Sequence, residues 1–94
     1  TIHYSTSKGA LEALTKALAK IGSKHQVLVN TIRPGATNTS FHEKIGRKDT
    51  TQRAKLVPLG RLASPAEISH AIVFLCSKLS SYITNSSLDV RGGE

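Results

Sequence analysis

Tyr4 and Lys8 are the two side chains whose types and spacing best suit acid–base chemistry. If the surrounding residues form a helix, a separation of four places the phenol and the ammonium one turn apart on one side. A phenol is a weak acid, with an ordinary pKa of about 10. A lysine cation nearby favours the phenolate and lowers that pKa toward the range where general acid–base catalysis is efficient. The alternative is a surface tyrosine and a surface lysine, because a spacing of four often arises by chance.

Composition limits the kind of protein this is. The chain has 94 residues, enough for one domain with a limited core. It contains no membrane-length apolar run and no methionine, so we expect a piece of a longer polypeptide or a processed form, with no membrane association. The single cysteine, Cys76, lies in an apolar run. We interpret it as a small buried side chain in a reducing, cytoplasmic compartment.

The formal net charge of +7 invites an anionic partner: nucleic acid, a phosphate-bearing cofactor or an acidic protein. The basic residues are scattered, however, and only two Tyr and two Phe are present to stack on single strands. We therefore predict no nucleic-acid binding. The four histidines share no metal-ligand spacing, so no metal is predicted either.

The first predicted helix carries the Tyr–Lys pair. It runs from about Tyr4 to Ile21, because apolar residues recur at helical spacing along it. The hydroxyls of residues 5–7 are expected to satisfy the free amides of its first turn, and Gly22 to end it in a left-handed conformation. A row of small residues, Gly9, Ala13 and Ala17, would let another helix approach closely.

A parallel strand–helix–strand unit is predicted to follow. The β-branched run 27–32 indicates a strand covered on both faces and ended by Arg33-Pro34-Gly35. Ser64-Pro65-Ala66-Glu67 predicts the start of a helix that reaches about Leu79. Residues 87–90 form the second strand, and strand, crossover helix and strand imply a right-handed parallel unit. The buried face of this helix comprises Ile68, Ala71, Ile72, Leu75 and Leu79.

The connection 36–62 has no long periodic segment, although 41–45 and 50–57 each predict a short helical turn. A connection of this length is usually a functional lid or a mobile segment. Its start lies at the carboxyl end of the first strand, with Pro34-Gly35. A helix that follows a parallel strand begins at the same edge, so Tyr4 and Lys8 belong there if a strand precedes residue 1. Ligands of open α/β sheets bind at this edge, which favours the active-site interpretation.

Six motifs in register carry a resemblance to a known family. Residues 4–11 resemble the Y-x-x-S-K-x-A-L opening of the catalytic helix in short-chain dehydrogenases/reductases. Residues 29–39 are similar to the family's V-N-x-I-x-P-G-x-x-x-T stretch, and residues 59–68 to its L-x-R-x-x-x-P-x-E-I segment. The other three motifs follow in the family's order, at 74–77, 82–84 and 92–93. The match covers essentially the whole chain and looks most like the 3-oxoacyl-[acyl-carrier-protein] reductases.

The resemblance implies a fold class and a reaction. Residues 1–94 would be the C-terminal part of an α/β domain with a doubly wound, Rossmann-like parallel sheet. The reaction would transfer hydride between a nicotinamide cofactor and a carbonyl or alcohol. Tyr4 would be the general acid/base, and Lys8 would modulate its pKa and hydrogen-bond the nicotinamide ribose. The Pro34-Gly35 turn would back the nicotinamide, with Thr37 and Thr39 near its carboxamide and the phosphates. Asn30 would be structural, tying the strand end to neighbouring backbone.

Departures from the family pattern qualify these expectations. Asn85 stands where the family usually has glycine, and Asn is the best substitute if the backbone is left-handed there. Arg91 replaces the acidic residue of a terminal D-G-G. The family's Gly-rich turn, its residue that selects NAD or NADP, and its catalytic serine all precede the tyrosine and are not in this chain. We therefore predict that the 94 residues alone are inactive.

The cofactor is expected to be NADP or NAD, with NADP slightly favoured, and the substrate a small carbonyl or alcohol compound, either free or bound to a carrier protein. The acidic surface of such a carrier would suit the net charge of +7. A homodimer or homotetramer is expected to pack through the small-residue row. Four basic loop residues would either meet the carrier or form a solvated lid: Arg47, Lys48, Arg53 and Lys55. The competing hypothesis is a non-catalytic interaction module for an acidic partner, which a Gly-rich strand–turn–helix upstream would argue against.

Overall fold

The computed structural model of the chain describes residues 1–40 and 50–94. Its elements, in order, are helix α1 (Ile2–Ser23), strand β1 (Thr31–Pro34), helix α2 (Thr51–Leu56), helix α3 (Pro65–Leu75), a 3₁₀ turn (Lys78–Ser80) and strand β2 (Ser87–Val90). β1 and β2 pair in parallel, from Thr31 opposite Ser87 to Pro34 opposite Val90. The predicted α/β class, the parallel pair and the short helix near 50–57 are confirmed. The predicted turn at 41–45 lies outside the described residues, as do Arg47 and Lys48.

Helix α1 is longer at both ends than its sequence pattern predicts. It is preceded by Thr1, and no side-chain cap forms. The hydroxyls of Thr6 and Ser7 already lie inside the helix, where they donate to the carbonyls of Ile2 and Tyr4 at 2.7 and 2.8 Å. The prediction that residues 5–7 cap the first turn is therefore wrong.

The predicted end of α1 at Gly22 is also wrong. The helix continues to Ser23, and the left-handed residue is Gln26, with φ of 59°. Gly22 serves another purpose, because a Cβ atom there would lie 2.7 Å from the carbonyl oxygen of Val27. Glycine lets the chain fold back closely against the helix, and the Val27 N–H then donates to the Gly22 carbonyl at 2.9 Å.

Strand β1 begins four residues later than predicted. The chain before it is held by side-chain bonds and by one backbone bond, from the Asn85 N–H to the Val29 carbonyl at 2.8 Å, and not by a strand ladder. The Asn30 amide donates to the Ile83 carbonyl at 2.8 Å, and its oxygen accepts from the Ser86 N–H at 3.1 Å. The structural role predicted for Asn30 is confirmed. Val27 is 53% exposed, so the prediction of a run covered on both faces is wrong. Pro34 is the last strand residue, and the Gly35 N–H donates to Val90 at 2.9 Å.

Helix α3 begins as predicted and ends earlier. Ser64 and Glu67 form a reciprocal capping box, with Pro65 in the first turn. The helix stops at Leu75 because Ser77 caps a new 3₁₀ turn by accepting from the Leu79 N–H at 3.2 Å. Leu79 is consequently 83% exposed, and its predicted place on the buried face is wrong.

Few side chains are fully buried among the described residues. The buried apolar ones are Ala19 and Val57. Cys76 is exposed, directly after the last turn of α3, so the prediction of a buried thiol is wrong. Asn85 has a φ of 55°, so the backbone there is left-handed, the condition under which Asn is the best substitute for glycine. No described helix is long and apolar enough to cross a membrane.

Candidate active site at the carboxyl edge of the sheet

Tyr4 and Lys8 line a cavity of about 220 Å³ between α1 and the sheet. The Lys8 ammonium lies over the Tyr4 ring, 5.5 Å from its centroid, where a cation is attracted to the electron-rich face. Tyr4 is 59% exposed, so its hydroxyl is open to a ligand. Pro34 lines the same cavity from the end of β1. Three of the predicted site residues are thus brought together at the carboxyl edge of the parallel pair. The other residues lining this cavity are Leu11, Glu12, Thr31, Ile32, Arg33 and Arg91.

Gly35 lies next to this cavity and borders a second one of about 110 Å³. A Cβ atom on Gly35 would be 2.7 Å from the Cα of Arg91, so the turn packs against the end of β2 as only glycine permits. Thr37 stabilises the turn by donating from its hydroxyl to the Gly35 carbonyl at 3.0 Å. Backbone bonds then pair residues 36–38 with Ala63. The Pro34-Gly35 turn is therefore a well-supported backbone surface.

Three predicted residues lie apart from the cavities. Thr39 is exposed and lines neither of them. Arg53 forms an ion pair with Glu94, which ties α2 to the last residue of the chain. Lys55 is exposed. Of the four basic loop residues proposed to meet an acidic carrier, Arg53 is therefore already engaged within the chain.

A chain of charged side chains along the cavity was not predicted from the sequence. Arg33 donates from Nε and Nη2 to the two oxygens of Asp89, at 2.6 and 3.0 Å, and from Nη1 to Glu12 at 3.3 Å. Arg91 adds a contact to Asp89 at 3.2 Å. The hydrogen bonds and charge of Arg33, with a smaller contribution from Arg91, hold the pKa of Asp89 below its usual range. We call Glu12, Arg33, Asp89 and Arg91 the ion-pair chain.

A buried hydroxyl pair also joins α1 to β1. Thr15 and Thr31 are both buried, with their hydroxyl oxygens 2.6 Å apart. The Thr15 hydroxyl donates to the Leu11 carbonyl at 2.9 Å. A hydroxyl has one proton to give, so Thr31 must be the donor to Thr15. Such a contact becomes visible only once the helix is placed over the strand, and no sequence pattern indicates it.

The arrangement can give or take a proton at an exposed phenol beside a cation. A phenol and an ammonium do not transfer hydride, so a redox reaction at this edge needs a bound cofactor. Among the residues that the structure describes, no group of three or more His, Cys, Asp or Glu is placed to hold a metal ion.

Known proteins match both the sequence and the fold. A family model described as Enoyl-(Acyl carrier protein) reductase matches residues 1–94. The chain is 39% identical over 92 residues to a 3-oxoacyl-[acyl-carrier-protein] reductase of Aquifex aeolicus, covering 98% of this chain and 37% of that protein.

Two solved structures share the fold. A short chain dehydrogenase family protein from Francisella tularensis aligns with a TM-score of 0.84 at 34% identity, over 96% of this chain and 42% of that one. An NADPH-bound short chain oxidoreductase from Pseudomonas aeruginosa, with an atypical catalytic center, gives 0.83 at 35% identity, over 95% and 37%. The chain spans less than half the length of each of these proteins. Since the family model matches every residue and these structures share the architecture, the chain belongs to the short-chain dehydrogenase/reductase family.

Proposed function

We propose that residues 1–94 supply the proton-transfer part of an NAD(P)-dependent oxidoreductase that acts on a carbonyl or alcohol. The observation that supports this most is the cavity shared by Tyr4, Lys8 and Pro34 at the carboxyl edge of a parallel strand pair. That edge is where ligands of α/β sheets bind. Family membership makes hydride transfer the reaction that such a proton donor would serve.

The proposed roles follow from the chemistry of each group. The nicotinamide, when bound, supplies or accepts the hydride. The Tyr4 hydroxyl donates a proton to the substrate oxygen during reduction and accepts one in the reverse direction. The Lys8 cation favours the phenolate left behind and offers N–H donors to the ribose hydroxyls of the cofactor. The Pro34-Gly35 turn would back the nicotinamide, with Thr37 and Thr39 near its carboxamide and the phosphates.

The residues present fit one end of such a cofactor. The Gly35 turn is packed against Arg91 and held by the Thr37 hydroxyl, so its backbone is a fixed surface against which a flat ring could lie. The Lys8 ammonium lies at the open cavity beside it. The sequence holds no Gly-rich turn for the pyrophosphate. We therefore propose that the remaining cofactor contacts and the catalytic serine come from polypeptide outside these 94 residues. We also propose that the 94 residues alone do not catalyse hydride transfer.

We propose NADPH as the cofactor and a 3-oxoacyl thioester as the substrate. The NADPH bound to the Pseudomonas aeruginosa relative supports the first choice. The activity named for the Aquifex aeolicus relative supports the second. A net charge of +7 would suit an acidic carrier protein. We also propose a homo-oligomer that packs through α1.

Absorbance at the NADPH band tests this function. The natural polypeptide that contains residues 1–94 is mixed with NADPH or NADH and a 3-oxoacyl thioester, a simple ketone or no carbonyl. The expected result is carbonyl-dependent oxidation, faster with NADPH and with the thioester. Residues 1–94 alone should oxidise neither cofactor above the buffer rate. If the natural polypeptide consumes no nicotinamide with any carbonyl compound, the interaction-module hypothesis replaces this one.

A further inference from the structure

One side chain attaches the helix that carries Tyr4 and Lys8 to both strands. Arg33, on β1, donates hydrogen bonds from two nitrogens to Asp89 of β2 and from the third to Glu12 of α1. Tyr4, Lys8 and Glu12 are spaced by four residues, so they lie on successive turns of one helix face. The contact from Arg33 therefore falls one turn beyond Lys8 on the face that lines the cavity.

The guanidinium is suited to this task, because its nitrogens point in fixed, coplanar directions. All three are used by carboxylates on two different elements. A lysine has the same charge but a single ammonium, so it cannot reproduce the bidentate bond to Asp89 while also reaching Glu12. The buried Thr15–Thr31 pair is a second link between the same two elements. The two links therefore join α1 to β1 at two points, Glu12 and Thr15.

The same ion-pair chain continues to the turn proposed to back the nicotinamide. Asp89 also accepts from Arg91, whose Cα would lie 2.7 Å from a Cβ atom on Gly35. Hydrogen bonds and close packing therefore run from α1 through Arg33 and Asp89 to the Gly35 turn. The Tyr4–Lys8 pair and the Pro34-Gly35 turn are thus connected through the ion-pair chain.

We propose that Arg33 is a positioning residue, which acts through Glu12 to fix the distance between the Tyr4–Lys8 pair and the Pro34-Gly35 turn. This inference rests on the function proposed above and adds a residue to it. Both partners are about half exposed, and exposed ion pairs contribute little to folding stability. The expected effect is thus on the geometry of reaction, which is sensitive to displacements on the order of 1 Å, and not on folding.

The test uses Glu12→Gln, Arg33→Lys and the double variant of the natural polypeptide, with NADPH and the best carbonyl substrate. Each single change should lower kcat about tenfold, because a displaced proton donor reacts more slowly. The dissociation constant for NADPH and the thermal midpoint should stay close to those of the wild type. The double variant should be no slower than the slower single variant, since both changes break the same contact, between Arg33 and Glu12. Lys16→Gln is the matched control: it removes one charge from α1 at a residue outside the ion-pair chain, and should leave kcat unchanged.

The outcomes separate this inference from the proposed function. If kcat is unchanged in both single variants while Tyr4→Phe abolishes turnover, Arg33 does not position the site although the function stands. If the two losses multiply in the double variant, Arg33 does not act through Glu12. A fall in the thermal midpoint that accounts for the loss of activity would show a merely structural role. Failure of the function itself would be seen separately, as turnover that survives Tyr4→Phe.

Discussion

At the scale of single residues, the Lys8 ammonium is placed for two tasks. It lies over the Tyr4 ring, 5.5 Å from the centroid, and also faces the cavity that Pro34 lines. The attraction between cation and ring holds the two side chains together before any ligand binds. In the proposed mechanism, one group therefore both stabilises the phenolate and contacts the cofactor.

Lys8→Met should consequently damage both steps. We expect kcat to fall about a hundredfold, because the phenolate loses its cation, and the KM for NADPH to rise, because the ribose loses its donors. Steady-state kinetics of the natural polypeptide measure both effects. Lys16→Met, on the same helix, is the control and should change neither. If Lys8→Met altered KM and left kcat normal, Lys8 would have no role in the proton-transfer step.

Glu67 is a residue whose charge supports the fold away from the Tyr4–Lys8 pair. Its carboxylate accepts two bonds from Arg61, at 2.9 and 2.7 Å, and one from the Ser64 N–H at 2.8 Å. The bonds from Arg61, followed by the Ser64 amide, lower the pKa of Glu67 from its ordinary 4.5 to about 2.

A lowered carboxyl pKa stabilises the folded state above the unfolded pKa, and this stabilisation is lost as pH falls. For Glu67 the loss should occur between about 4.5 and about 2. Chemical denaturation across this range should show the fall, and Glu67→Gln should make it shallower. The part that remains would belong to groups such as Asp89, whose pKa is also lowered. An identical pH slope in the variant would contradict this assignment.

At the scale of elements, the ends of α3 and β1 differ in whether nearby or distant residues determine them. The start of α3 is determined by a local motif, the capping box of Ser64 and Glu67, and can therefore be predicted from the sequence. Its end depends on the Ser77 hydroxyl capping a new turn. The start of β1 depends on Thr84, Ile83 and Ser86, more than 50 residues away. Such long-range bonds leave no periodic signal in the sequence.

Removal of the α3 cap should cost a measurable amount of stability. Ser64→Ala leaves the Glu67 N–H without its side-chain acceptor, and the free energy of unfolding should fall by about 1 kcal/mol. Ser69→Ala is the control: that hydroxyl donates to Pro65 within α3 and caps no free amide. Urea denaturation of the two variants gives the comparison. Equal losses would show that the capping box contributes nothing specific.

The candidate site could be predicted only in part, because long-range contacts leave no signal in the sequence. The rule that ligands bind at the carboxyl edge of a sheet predicts from the sequence that Tyr4, Lys8 and Pro34 lie together. The ion-pair chain could not be found in this way. Arg33 meets Asp89 only because the two strands pair in that register, and Glu12 meets Arg33 only because α1 lies across them.

At the scale of the whole molecule, the chain is unusually open. Its accessible surface is 7139 Å², whereas a compact monomer of this mass would expose about 5,300 Å². Four apolar side chains of α1 remain 44–61% exposed: Leu11, Leu14, Leu18 and Ile21. Because the chain spans less than half the length of its relatives, we expect polypeptide outside these 94 residues to pack against this apolar face.

Sedimentation equilibrium of the natural polypeptide should give a homodimer or homotetramer, the assembly proposed to pack through α1. Gly9 has open space around its position, consistent with room for a second helix along the small-residue row. Ala13→Arg should lower the oligomer mass by obstructing that row, whereas Ser69→Arg on α3 should not. A monomer mass for the unmodified polypeptide would exclude this assembly.

The central claim is that Tyr4 carries the proton in a nicotinamide-dependent reaction, and Tyr4→Phe in the natural polypeptide tests it most directly. Tyr82→Phe is the matched control, since Tyr82 is fully exposed and lies outside the Tyr4–Lys8 cavity. NADPH oxidation and NADPH binding are measured on both variants. The account predicts that Tyr4→Phe loses turnover by a factor on the order of a hundred or more while binding NADPH nearly as well as the wild type, and that Tyr82→Phe retains both. Turnover by Tyr4→Phe at the wild-type rate would contradict it.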